Sequence, residues 1–85
     1  SENLNVDNTL FGSDEEKALY NFVNQLKSIE SEDFLNYIEM LLNNANTINQ
    51  FFDNVIINVD DEKLKNNRVA LLKKLEISID KMINI

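Results

Sequence analysis

Arg68 falls on an otherwise aliphatic stripe, Leu64, Leu71, Leu72 and Leu75, at the three-to-four spacing of one helix face. A guanidinium there must be paired, because stripping the partner from a buried charge costs roughly 3–5 kcal/mol. Its planar fork suits two kinds of partner. One is a structural carboxylate or carbonyl, for which Asp53, Asp60 and the carbonyls of residues 55–59 are the candidates. The other is a phosphate or base edge at a groove. Lys63, Asn67, Lys74 and Lys81 follow at spacings of four, seven and seven, which predicts one outward line on the same helix. Lys65 and Lys73 fall on a neighbouring line with Asn66 and Val69. Two such lines could track a nucleic-acid backbone, with Asn66 and Asn67 offering donor–acceptor pairs to bases. The same pattern also describes a solvated face on which Glu62 and Asp80 balance the lysines.

Other chemistry is poorly supplied. Cysteine and histidine are both absent, which removes thiolate nucleophiles, zinc–thiolate sites and the commonest general base. Ser1, Ser13, Ser28, Ser31 and Ser78 therefore have no histidine to activate them, and no catalytic residue is assigned. Asp60-Asp61-Glu62 lacks the alternate ligands and glycine of an EF-hand, so helix capping explains it better than a metal site. Phe51 and Phe52 read as core, with base stacking the alternative. Tyr20 and Tyr37 are expected at helix edges with wet hydroxyls.

The elements that would position these residues are helical. Proline is absent and glycine occurs only at Gly12, so polar clusters are the internal breakers. Ser13 and Glu16 form a capping box, and Leu19, Phe22, Val23, Leu26 and Ile29 give the following helix its apolar face. Ser31 is expected to start a second helix burying Phe34, Ile38, Leu41, Leu42 and Ala45, weakened at its end by Asn43 and Asn44. A short third helix over 47–54 presents Ile48, Phe51 and Phe52.

Val55-Ile56-Ile57-Asn58-Val59 is β-branched and has no second strand to pair with, so it predicts an extended, buried connector. Asp60 or Asp61 caps the last helix, with Leu64, Leu71, Leu72, Leu75, Ile79, Met82 and Ile83 inward. Leu4, Val6, Leu10 and Phe11 lack a helical period and predict an extended arm over residues 1–12. The architecture is all-α: one small antiparallel bundle of about four helices with an extended connector before the last.

Size and charge narrow the function further. Eighty-five residues make a single domain, and 44% hydrophobic content is enough to give it a core. The net charge of −7 is unevenly spread. Residues 1–60 set Lys17 and Lys27 against eleven acids, whereas residues 61–85 set six cations against four acids. A polyanion would therefore meet the last helix and avoid the rest. The competing reading is an acidic helical module that docks on another protein without touching RNA. No transmembrane candidate or secretory signal is present, which makes the cytoplasm the expected compartment. Opening on Ser1 without an initiating methionine fits a trimmed piece of a longer chain.

Phe51-Phe52, Asp53, Val55-Ile56-Ile57, Asp61-Glu62, Leu64, Asn67-Arg68 and Leu71-Leu72 stand in an order that resembles the closing segment of the bacterial glycyl-tRNA synthetase beta subunit. That segment belongs to a DALR-type anticodon-binding domain. Val6-Asp7, Leu10-Phe11, Glu16 and Leu19-Tyr20 are similar to the family's lead-in to its first helix. In the alanine-leucine-arginine part of the motif this chain has Lys63-Leu64-Lys65, keeping the leucine and one positive charge. The resemblance implies recognition of the anticodon region of glycine tRNA, with no DNA or membrane partner. It also implies contact with the remainder of the beta subunit and with the alpha subunit. Aminoacylation with ATP and glycine would be carried out elsewhere in the enzyme, leaving no cofactor here.

Overall fold

The structure, a computed structural model, describes residues 5–29 and 33–83, with side chains as far as Lys81. Four α-helices follow a short 3₁₀ turn at Asn8–Leu10. They are α1 (Asp14–Lys27), α2 (Phe34–Asn43), α3 (Ala45–Asn54) and α4 (Glu62–Ile83). No strand occurs among the described residues, which agrees with the all-α expectation.

The first helix starts where its residues dictate. Ser13 Oγ accepts from the Glu16 N–H at 3.3 Å and completes the first half of the capping box. The Glu16 carboxylate closes the second half one residue early, on the Gly12 N–H at 3.0 Å, and also accepts from the Ser13 hydroxyl at 2.9 Å. Leu19, Phe22, Val23, Leu26 and Ile29 then recur at helical spacing and are all buried. This makes α1 the central element, packed against both α3 and α4.

The second helix differs from its expected face. Phe34, Leu42 and Ala45 are exposed, and Ile38 and Leu41 are only partly covered. Its buried residue is Tyr37, 1% exposed, whose hydroxyl donates to the Ser78 carbonyl at 2.8 Å. The wet-hydroxyl expectation for Tyr37 therefore fails, because α4 supplies a backbone acceptor and lets the whole ring enter the core. The packed stripe of α2 is narrow for a local reason: Asn44 alone separates it from α3. Asn44 closes α2 by donating its side-chain Nδ2–H to the Met40 carbonyl at 2.9 Å. Its own carbonyl then accepts from Thr47 and opens α3. The expected start of α2 at Ser31 lies outside the described residues.

On α3, Phe51 is fully buried, but Phe52 is 58% exposed, against the core reading for both. Consecutive helical residues point about 100° apart, so only one of the pair can face α1. The segment after α3 departs from the expected extended connector: Val55 leaves the helix extended, but the chain bends at Ile57-Asn58, where the Val59 N–H donates to the Ile57 carbonyl at 3.0 Å. Only Val55 is buried, with Ile57 and Val59 half-buried and Ile56 exposed. Asp61, not Asp60, caps α4, its Oδ1 accepting from the N–H groups of Lys63 and Leu64 at 3.0 and 3.4 Å. Leu71 and Leu75 are buried there, with Leu64, Leu72 and Ile79 partly covered. Residues 5–12 cross the bundle as an arm: Val6 and Phe11 pack on the core, and the Phe11 ring meets Tyr20 edge-on. Leu4 lies outside the described residues.

Burial pushes the Tyr37 phenol above its ordinary value of 10.0. With the folded pKa raised, this stability is complete below about pH 10 and is lost as pH rises through the folded value. Tyr37→Phe should cost about 0.5–1.5 kcal/mol at neutral pH by removing one hydrogen bond. Thermal melts from neutral pH to about pH 11 should also fall less steeply for the variant than for the parent chain.

Candidate nucleic-acid interface

Arg68 proves to be tied within the molecule. Its Nη1 donates to the Ile56 carbonyl at 2.7 Å, one of the connector carbonyls the sequence had offered. The carboxylate partner is Glu16, however, and neither Asp53 nor Asp60. Arg68 Nε approaches Glu16 Oε2 at 3.4 Å and Nη2 approaches Oε1 at 3.5 Å. The Glu16 side chain is 1% exposed and that of Arg68 13%. One guanidinium thus joins the start of α1, the middle of α4 and the connector, which a lysine's single ammonium could not span in the same geometry.

Asn67 leaves the outward line on which the sequence placed it. It is buried, and its amide pairs reciprocally with the backbone of Asp7 in the arm. The Asp7 N–H donates to Asn67 Oδ1 at 2.7 Å, while Asn67 Nδ2 donates to the Asp7 carbonyl at 3.0 Å. A side-chain amide presents a donor and an acceptor side by side, so it copies a strand-like pairing with a single residue. The arm is stiffened at that point by Thr9. The Thr9 hydroxyl and then its N–H hydrogen-bond the Asp7 carboxylate, and together they hold the Asp7 carboxyl below its ordinary value.

The remaining cations divide by their position around α4. Residues 63, 67, 70, 74, 78 and 81 follow one another at three-to-four spacing. Asn67, Ala70 and Ser78 are buried on that line, so it is a seam against the arm and α1 rather than an outer face. Lys63 and Lys81 emerge exposed at its ends, and Lys74 is half-buried in the middle. Beside Lys74 lies a cleft of about 210 Å³ lined by Asn5, Lys27, Lys74, Ile77 and Ser78. It brings Lys27, at the end of α1, next to a cation from α4, and among the described residues no acid lines it.

The other line starts at exposed Asn66 and Val69 and ends in acid. Half-exposed Lys73 lies 4.0 Å from Glu76, and Asp80 is one turn further on. Lys65 is half-buried beside this line. The structure therefore gathers Lys27, Lys63, Lys74 and Lys81 along the seam and leaves Lys65, Asn66 and Lys73 on a mixed-charge face. Lys27 escaped the sequence reading because its net-acidic surroundings in residues 1–60 hid it.

Among the described residues no group of His, Cys, Asp or Glu could hold a metal ion, and no helix is long and apolar enough to cross a membrane.

An all-α domain with three lysines set along one seam of its longest helix is the class that fold and charge define. The chain belongs to the DALR anticodon binding domain family, which matches it over residues 1–85. Among curated proteins, it is 43% identical to the glycine–tRNA ligase beta subunit of Streptococcus agalactiae serotype Ia over 82% of this chain and 10% of that protein. The glycine–tRNA ligase beta subunit of Thermodesulfovibrio yellowstonii is 39% identical over 87% of this chain and 12% of its own length. That of Sulfurihydrogenibium sp. is 45% identical over 84% and 11%. The chain thus spans about a tenth of the length of the curated relatives it matches. No solved structure matches it at a significant level.

Arg68→Ala strands the buried Glu16 carboxylate and frees the connector. It should lower stability by about 2–4 kcal/mol, which is roughly 10 °C or more in the melting midpoint of so small a domain. A variant that melts like the parent yet loses RNA binding would show that Arg68 serves the ligand instead. Asn67→Ala should cost about 1–2 kcal/mol for its two hydrogen bonds and speed hydrogen exchange at the Asp7 amide, leaving protection along α4 intact.

Proposed function

We propose that this chain helps to recognise the anticodon region of glycine tRNA as a domain of a glycyl-tRNA synthetase beta subunit. Membership of the anticodon-binding family and the names of the relatives support the class of ligand. The observation that carries the reading on the molecule itself is the cleft pairing Lys27 with Lys74, on a chain whose net charge is −7. In a protein this acidic, a polyanion can approach only where cations are concentrated and acids are missing. Among the described residues the cleft between Lys27 and Lys74 meets that condition, and Lys63 and Lys81 continue the seam at its ends. Phosphates of a single-stranded loop would follow the seam, and bases would be read by groups beside it.

Within this reading the domain performs no chemistry. Activation of glycine with ATP and transfer to tRNA fall to other parts of the enzyme, above all to its alpha subunit. The domain's protein partners are the rest of the beta subunit and that alpha subunit. Asn66 and Lys65, on the mixed-charge face, are secondary contacts at most, and Asn67 acts through the arm.

Titration of the isotope-labelled chain with a glycine-tRNA anticodon stem-loop at low salt tests the assignment. Amide shifts should cluster at Lys27 and along 63–81, and affinity should fall steeply as salt rises. Each neutralised phosphate contributes about 0.7 to the logarithmic salt slope for a single strand. Lys27→Gln combined with Lys74→Gln should therefore lower that slope by about 1.4 and leave the fold unchanged. Absence of shifts along the seam would remove direct RNA contact from the account.

A further inference from the structure

On the other flank of α4, facing α3, lies an open groove of about 410 Å³. Ile48 and Phe52 of α3 and Leu72 and Ile79 of α4 form its apolar walls, and Glu76 and Asp80 stand along its α4 side. No cation lines it. Phe52 leaves more than half of its surface in water, an unusual investment for a large aromatic on a small domain. Among the described residues Glu76 has only Lys73, 4.0 Å away with the Lys73 side chain half-exposed and that of Glu76 mostly in solvent, and Asp80 has no cationic partner. Hydrophobic walls beside one weakly paired and one unpaired carboxylate specify an occupant with the opposite arrangement: apolar anchors and basic flanks.

We propose that this groove docks an amphipathic helix from a partner polypeptide. Its apolar side chains enter between Phe52 and Ile79, and its flanking lysines or arginines pair with Glu76 and Asp80. Leu72 to Asp80 covers about 12 Å of α4, two helical turns, which matches the reach of i, i+4 and i+7 anchors laid into a groove. Three other occupants fail on charge. Nucleic-acid phosphates and an anionic membrane surface would meet the two carboxylates. A second copy of this chain would set −7 against −7 and bring the same carboxylates together. The docking surface is separate from the lysine seam, so it stands whether or not RNA binds there.

The test uses the intact 85-residue chain and two synthetic helical peptides of about 14 residues, roughly four turns. Both carry leucine and phenylalanine on one face; one has lysine at the flanking positions and the other glutamate. The lysine-flanked peptide should shift Ile48, Phe52, Leu72 and Ile79 resonances and bind about tenfold more tightly than its glutamate counterpart, an advantage that fades with added salt. The double change Glu76→Lys and Asp80→Lys should reverse the preference, and Phe52→Ala should weaken both peptides. All three positions are exposed, so unchanged melting midpoints verify the fold. Equal affinity for the two peptides, shifts confined to another face, or no binding would overturn the proposal. RNA binding on the seam, measured in the same samples, reports separately on the tRNA reading.

Discussion

The Glu16 carboxylate is the point on which the rest of this small domain hangs. It accepts from the Gly12 N–H, the Ser13 hydroxyl and two nitrogens of Arg68 while keeping almost no contact with water. A carboxylate in that position is costly unless every lone pair is used, and here each donor comes from a different structural task. Gly12 ends the arm, Ser13 opens α1, and Arg68 belongs to α4. Arg68 then spends its remaining nitrogen on Ile56 and fixes the connector. A device that normally caps one helix has become the joint between four segments.

That joint determines where function can sit. With Arg68 turned inward and Asn67 holding the arm, the middle of α4 is closed to ligands on the side that the sequence motif marks. Lys63, Lys74 and Lys81 follow the edge where α4 meets α1 and the arm, Lys65 and Lys73 sit on a mixed-charge face, and the groove facing α3 is apolar and acidic among the described residues. One helix therefore separates two surfaces of opposite chemistry. For the proposed RNA contact on a chain of charge −7, this division favours approach along the lysine seam over the acidic groove.

Local signals were legible in the sequence, and distant pairings were not. Ser13 with Glu16, an acidic cap at Asp60 or Asp61, the β-branched break before α4 and the apolar face of α1 each declare themselves within a few residues, so the helices could be read directly, although α3 begins at Ala45, two residues before its expected start. Asn67, Tyr37 and Glu16 could not. Each is a polar residue whose burial depends on a partner in another segment: the Asp7 backbone, the Ser78 carbonyl and the Arg68 guanidinium. Local pattern put Asn67 on an outward line, the Tyr37 hydroxyl in water and Glu16 in a helix cap, and carried no sign of those distant partners. The Arg68 anomaly was visible for the opposite reason, since a charge interrupting an aliphatic stripe demands a partner somewhere. Lys27 shows the same limit at the functional edge, because its neighbour Lys74 is close only in the folded chain.

A double-mutant cycle on Glu16 and Arg68 tests the central claim most directly, with the joint holding the fold and the seam meeting RNA. Glu16→Gln preserves the shape of the cap and removes the charge; Arg68→Met preserves bulk and removes the fork. The two changes should be strongly non-additive in unfolding free energy, with a coupling of about 1–3 kcal/mol. Stem-loop affinity of the folded fraction should stay unchanged in every variant. Additive stabilities, or variants that melt like the parent while losing RNA affinity, would contradict the account and place Arg68 in the binding site.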